Sequence, residues 1–155
     1  MATRPVADNE LLIETTFAAP APLVFAMWAE RRHFMNWLGP NSFTCTEADL
    51  DFREGGAWSA TMVSDQYGVA RMGGRYLEIE PERRIVMTFR WLNGEPDPET
   101  VITLSFAEAD GKTTQTFHQT PFEDVARRDS HIGGWTEAFE SERTYVETTA
   151  QENAR

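Results

Sequence analysis

Hydrophobic and polar residues alternate along most of this chain, and where alternation stops a helical spacing takes over. In Glu10–Phe17, the side chains of Leu11, Ile13, Thr15 and Phe17 share one side, which predicts a β-strand. Ala19-Pro20-Ala21-Pro22 breaks it, and Pro22 suits the first turn of a helix, where a missing N–H leaves no bond unmade. Leu23, Val24, Met27 and Trp28 then build one helical face. A second short helix over Glu30–Trp37 sets Phe34 and Trp37 three apart, and Gly39-Pro40-Asn41 stops it.

From Ser42 onward the pattern is β for nearly eighty residues. Strands are predicted over Ser42–Phe52, Ala57–Ser64, Val69–Glu80, Arg84–Leu92, Glu99–Glu108 and Lys112–Thr120. Turn residues separate them at Arg53–Gly56, Asp65–Gly68, Pro81–Arg83, Asn93–Pro98 and Ala109–Gly111, so the strands form an antiparallel meander. Trp58, Ala60 and Met62 fall on one face of their strand, and Ile85, Met87, Phe89 and Trp91 on one face of theirs. Gly73-Gly74 inside a strand predicts a bulge or a close backbone approach. Gly133-Gly134 reads as a turn before the stripe Trp135, Ala138, Phe139, Glu142, Tyr145 and Val146, with a helical turn or two over Asp124–Ser130 ahead of it. The order β-α-α-β-β-β-β-β-β-α is an α+β architecture.

The 155 residues fit one domain, placed over residues 9–149, with polar termini at 1–8 and 150–155 expected to fray. A hydrophobic fraction of 41% against 25% charged is ordinary for a globular chain. The 14 basic against 25 acidic residues leave a net charge of −11, which repels phosphate backbones and anionic lipid and excludes nucleic-acid binding by bulk electrostatics. Cys45 is the single cysteine, so no intrachain disulfide forms. With no signal-peptide pattern and no apolar run of about 18 residues, the expectation is a cytoplasmic protein without membrane insertion.

A long helix lying across a concave sheet leaves space between them unless large side chains fill it, and such spaces suit apolar ligands. The side chains placed to line or fill it are Trp58, Met62, Tyr76, Met87, Phe89 and Trp91 on the strands, and Trp135, Phe139 and Glu142 on the terminal helix. Ten Phe, five Trp and three Tyr are enough that the filling could be complete. Glu142 interrupts an apolar stripe, and a carboxylate there costs several kcal/mol if buried unpaired, so it either reaches water or has a partner. His33, His118 and His131 lack ligand spacing, and no metal site or cofactor is expected. Cys45 reads as a small core residue, and the glycine pairs at 55–56, 73–74 and 133–134 lack a phosphate-loop frame.

Several short motifs carry a family resemblance. Phe17-x-x-Pro20 leads into Val24-Phe25-x-x-Trp28, followed by Trp37-Leu38-Gly39-Pro40, Arg53-Glu54-Gly55-Gly56-x-Trp58, Pro81-Glu82-Arg83-Arg84-Ile85-Val86 and Gly134-Trp135. Together, over roughly residues 10–148, they resemble the START-like (SRPBCC) superfamily, in the branch of the activator of heat-shock-protein-90 ATPase. The resemblance implies a helix-grip fold: a six- or seven-stranded antiparallel sheet wrapped around a C-terminal helix, with two short helices after the first strand. It also implies a choice of functions, since relatives include lipid and sterol carriers, aromatic polyketide cyclases and a co-chaperone domain. The family helix usually has leucine where this chain has Glu142, and often has a histidine at the position of His118. On alternation His118 shares a face with Thr114 and Thr116, opposite Phe117, which points it outward. The leading expectation is therefore a noncatalytic binder of a small apolar or aromatic molecule. An enzyme using His118 or Glu142 as proton carrier, a chaperone-type protein partner and a homodimer through a sheet edge stay open beside it.

Overall fold

The computed structural model describes residues 2–3, 7–93 and 98–154. Seven long strands and one two-residue strand form a single antiparallel sheet. In chain order they are β1 (Ala2–Thr3), β2 (Leu11–Phe17), β3 (Thr44–Leu50), β4 (Ala57–Ser64), β5 (Gly68–Glu80), β6 (Arg84–Trp91), β7 (Thr100–Ala109) and β8 (Lys112–Thr120). Helices α1 (Ala21–Ala29) and α2 (Arg31–Trp37) follow β2, and α3 (Val125–Asn153) closes the chain. The sheet runs β1-β2-β8-β7-β6-β5-β4-β3, so the meander β3–β8 is completed by the first long strand pairing with the last. That pairing runs from Leu11 opposite Gln119 to Phe17 opposite Thr113.

Local sequence accounts for the curvature. The ladder shifts register between Cys45 and Glu47 on β3 and between Tyr76 and Glu78 on β5, and each bulge bends its strand. Gly73 and Gly74 are not the bulge; they let β5 come close to its neighbours. A Cβ on Gly74 would lie 2.0 Å from the Thr88 carbonyl oxygen of β6, and one on Gly73 would lie 2.7 Å from the Trp58 carbonyl oxygen of β4.

The concave face carries the core. Trp58, Ala60 and Met62 of β4, and Ile85, Met87 and Phe89 of β6, are all buried. Trp28 of α1 sits amid Trp37, Phe117, Trp135 and Phe139 with ring centroids 4.8–6.2 Å apart, so the middle of the groove is solid. Helices α1 and α2 close one end of the groove, with Phe34, Trp37 and Val24 among their buried side chains.

The terminal helix is longer than its apolar stripe predicts. It is one continuous element of 29 residues, about 43 Å at 1.5 Å per residue, and Asp124 caps it by accepting a 2.8 Å bond from Arg127 N–H. Gly133 and Gly134 lie inside it, not in a turn before it, and it continues through residues 150–153. Its buried residues are Trp135, Ala138, Phe139, Glu142 and Val146, and none of the ten residues before Trp135 is fully buried. The polar first third has no apolar stripe to announce it, which is why hydrophobic periodicity alone starts the helix too late. The expected turn at Asn93–Pro98 falls mainly on residues 94–97, outside the described residues, as do residues 1, 4–6 and 155 of the expected fraying termini.

Candidate functional site

The inward stripe of α3 thins out toward its N-terminal end. Four residues before Ala138 is Gly134, so two consecutive i, i+4 steps of the stripe present a methyl group and no side chain at all. Met62 of β4 and Met72 of β5 line the same space, and a Cβ on Gly134 would come within 3.7 Å of Pro40. The result is a cavity of about 340 Å³. Its apolar walls are completed by Phe89, Trp91 and Trp135, and by Leu38-Gly39-Pro40, the turn that ends α2.

Four of the nine side chains singled out by sequence line this cavity: Met62, Phe89, Trp91 and Trp135. The other five lie elsewhere in the groove. Trp58 packs at 6.1 Å from Phe89 and donates its indole N–H to the Thr88 carbonyl at 2.9 Å. Tyr76 packs edge-on against Phe52 at 4.9 Å, and burial raises its phenol pKa. Met87 and Phe139 belong to the filled core. The lining residues that sequence did not single out are Met72 and Leu38-Gly39-Pro40, together with Ser130, His131, Gly134 and Ala138 on α3. Gly134 and Ala138, four apart on an otherwise bulky stripe, were the available signal.

Glu142 neither reaches water nor pairs with a charged neighbour. It is fully buried and accepts a 3.0 Å hydrogen bond at Oε1 from Gln115 Nε2 on β8. Gln115 Oε1 in turn accepts from the Trp28 indole at 2.9 Å. The second carboxyl oxygen, Oε2, has no partner among the described residues, and neither has Thr15 Oγ1 on β2, directly opposite Gln115 in the sheet. Burial pushes the Glu142 pKa up to about 8, against the opposing pull of the Gln115 bond, so the side chain is mainly a neutral carboxylic acid at pH 7. A parallel arrangement holds the cavity wall: Trp135 donates to Gln119 Oε1 at 2.9 Å, and Gln119 Nε2 donates to Thr100 Oγ1 at 2.8 Å. Two glutamines on the inner face of β8 thus supply the acceptors that two buried indoles require.

The remaining titratable candidates sit apart from the cavity. His118 is on the outer face of β8, its Nε2 3.0 Å from Glu10 Oε1. His33 of α2 is hydrogen-bonded through Nδ1 to the Tyr145 hydroxyl at 2.7 Å, and burial lowers its pKa. Cys45 is buried and unpaired, and burial raises its thiol pKa. His131 is the exception: it borders the cavity, with ring centroids 4.9 Å from Phe122, 5.6 Å from Phe89 and 5.8 Å from Trp91. Its Nε2 accepts the Trp91 indole hydrogen at 3.2 Å, which fixes that nitrogen as unprotonated in this arrangement. Among the described residues no group of three or more His, Cys, Asp or Glu is placed to hold a metal ion. No described helix is long and apolar enough to cross a membrane.

Known proteins share this architecture. The family model described as Activator of Hsp90 ATPase homolog 1-like protein matches residues 18–147. A crystal structure from Mycobacterium smegmatis aligns with a TM-score of 0.81 at 21% identity, covering 96% of this chain and 95% of that one. One from Chromobacterium violaceum gives 0.80 at 24% identity, covering 90% and 97%. A solution structure from Staphylococcus epidermidis gives 0.79 at 26% identity, covering 99% and 95%. No curated protein matches the chain.

Proposed function

We propose, for a chain that belongs to the Activator of Hsp90 ATPase homolog 1-like family, that it binds a small aromatic or apolar molecule in the cavity between β4–β6 and the N-terminal half of α3. The observation that carries this proposal is the cavity itself, whose walls combine the small residues Gly134 and Ala138 with Met62, Met72 and three large aromatic side chains at one end of an otherwise solid groove. A volume of about 340 Å³ is near the lower end of the roughly 300–1,000 Å³ typical of ligand cavities. That size suits one or two fused rings, not a sterol or a long acyl chain. Methionine thioethers and indole faces adapt to flat aromatic surfaces, which supports the same class.

Binding is favoured over catalysis because the two proton carriers considered, Glu142 and His118, are respectively sealed in the filled part of the groove and turned to the outer face. A buried, unpaired Cys45 is compatible with the reducing cytoplasm as the place of action.

Naphthalene and indole are the first probes. A ligand held at about 100 times its Kd stabilises the fold by about 2.7 kcal/mol, visible as a rise in Tm. Ala138→Leu, which extends a branched side chain into the cavity, is expected to fold and to lose that rise. No Tm shift in the unaltered protein with either probe, or an equal shift in Ala138→Leu, contradicts the proposal.

A further inference from the structure

The cavity is not a single chamber. A second cavity of about 200 Å³ adjoins it, and Phe89, Trp91, Ser130 and His131 are walls of both. The two differ in chemistry. The larger is lined by methionine, indole and phenyl groups, whereas the smaller adds Thr100, Glu123 and Arg127. His131 stands at the boundary, held by the Trp91 indole on one side and packed on Phe122 of the smaller chamber on the other.

Most polar groups of the smaller chamber are already engaged with each other. Thr100 Oγ1 accepts from Gln119 at 2.8 Å and donates to the Phe89 carbonyl at 3.4 Å. Arg127 forms an ion pair with Glu123, Nε to Oε2 at 3.3 Å, so its charge is already met by a carboxylate. The Trp91 hydrogen occupies His131 Nε2. Ser130, exposed on α3 and bordering both chambers, is the wall hydroxyl without a side-chain hydrogen bond among the described residues. The chamber can therefore serve a neutral hydrogen-bonding group through Ser130. A ligand carboxylate would meet Glu123 and a net charge of −11, and among the described lining residues the one arginine, Arg127, is already ion-paired.

Resting on the binding function proposed above, we infer that the ligand is a hydroxylated aromatic: its ring lies in the larger chamber, and its neutral hydroxyl hydrogen-bonds with Ser130 where the two chambers meet. Acidic aromatics of the same shape are discriminated against.

Calorimetric titration with naphthalene, 2-naphthol and 2-naphthoate, on the full chain and on Ser130→Ala, separates the outcomes. A single hydrogen bond of ordinary strength makes 2-naphthol about three- to tenfold tighter than naphthalene. The carboxylate is expected to bind at least about tenfold more weakly than 2-naphthol, as a charged group without a partner. Ser130→Ala, an exposed substitution, brings the affinity for 2-naphthol to that which the same variant shows for naphthalene. Equal binding of naphthalene and 2-naphthol, tight binding of 2-naphthoate, or an unaltered preference in Ser130→Ala overturns the inference while the binding function stands. Binding of none of the three overturns both.

Discussion

Glu142→Gln is expected to remove a pH dependence of stability that the unaltered protein shows between about pH 4.5 and pH 8, the ordinary and the raised pKa of this carboxyl. In that interval the folded protein keeps the Glu142 proton and the unfolded chain has lost it. The unfolded state binds fewer protons, so stability falls as pH rises through the interval and levels off above it. Each tenfold difference in proton affinity between the two states is worth about 1.4 kcal/mol, which puts the total at several kcal/mol. Glutamine keeps an acceptor for Gln115 Nε2, bonded to Glu142 at 3.0 Å, and carries no ionisable proton. At pH 5 the two proteins are expected to melt within a few degrees of each other, and at pH 8 the variant is expected to melt about 5–10 °C higher. Thermal denaturation followed by circular dichroism across that range checks it. A constant difference between the two proteins at every pH would mean that the carboxyl is ionised, or solvated, in the folded state.

Gly74→Ala is expected to destabilise the fold by at least about 3 kcal/mol, the upper range for overpacking a well-ordered interior. The added Cβ would sit 2.0 Å from the Thr88 carbonyl oxygen and 2.6 Å from Thr88 Oγ1. Neither can retreat freely, since the carbonyl receives the Trp58 indole at 2.9 Å and Oγ1 receives the Arg75 N–H at 2.9 Å. Gly133→Ala is the matched control. Its Cβ meets nothing within 4 Å and its backbone is helical, so the higher helix propensity of alanine should raise stability by about 0.5–1 kcal/mol. Urea unfolding of the three proteins reads both effects, and a tolerated Gly74→Ala would contradict the close approach of β5 and β6.

Much of the architecture is legible in local pattern. The predicted bounds of Ala57–Ser64 and Lys112–Thr120 coincide with β4 and β8 because turn and breaker residues bracket both segments. The alternation of β8 also places Gln115 and Gln119 on the side of Phe117, and His118 on the other. What the pattern cannot supply is which buried indoles those glutamines serve, since the partners are 87 and 16 residues away in the chain. Glu142 stands out in the sequence as a polar break in an apolar stripe, but its partner comes from β8, not from its own helix.

The cavity was harder to foresee for a different reason. A set of inward aromatic and methionine residues describes the walls of a groove and its filling in the same terms. Whether a gap persists depends on how side chains of unequal length meet across it. Phe139 meets Trp28 and Phe117 within 6.2 Å and closes the centre. Beside it and toward the N-terminus, the small residues Ala138 and Gly134 line a space that Met62 and Met72 also border, and the gap stays. Reading Gly133-Gly134 as a turn removes one half of that contrast from view.

Methionine methyl resonances report on the open end and the filled centre at once. Six methionines are present, of which Met62 and Met72 line the cavity, whereas Met27 and Met87 are buried in the core away from it. In a spectrum of protein labelled at the methionine methyl carbons, addition of naphthalene is expected to shift the Met62 and Met72 signals in a saturable manner and to leave those of Met27 and Met87 in place. Unmoved Met62 and Met72 signals at saturating probe, or a response spread equally over all four, would contradict a ligand cavity at this end of the groove.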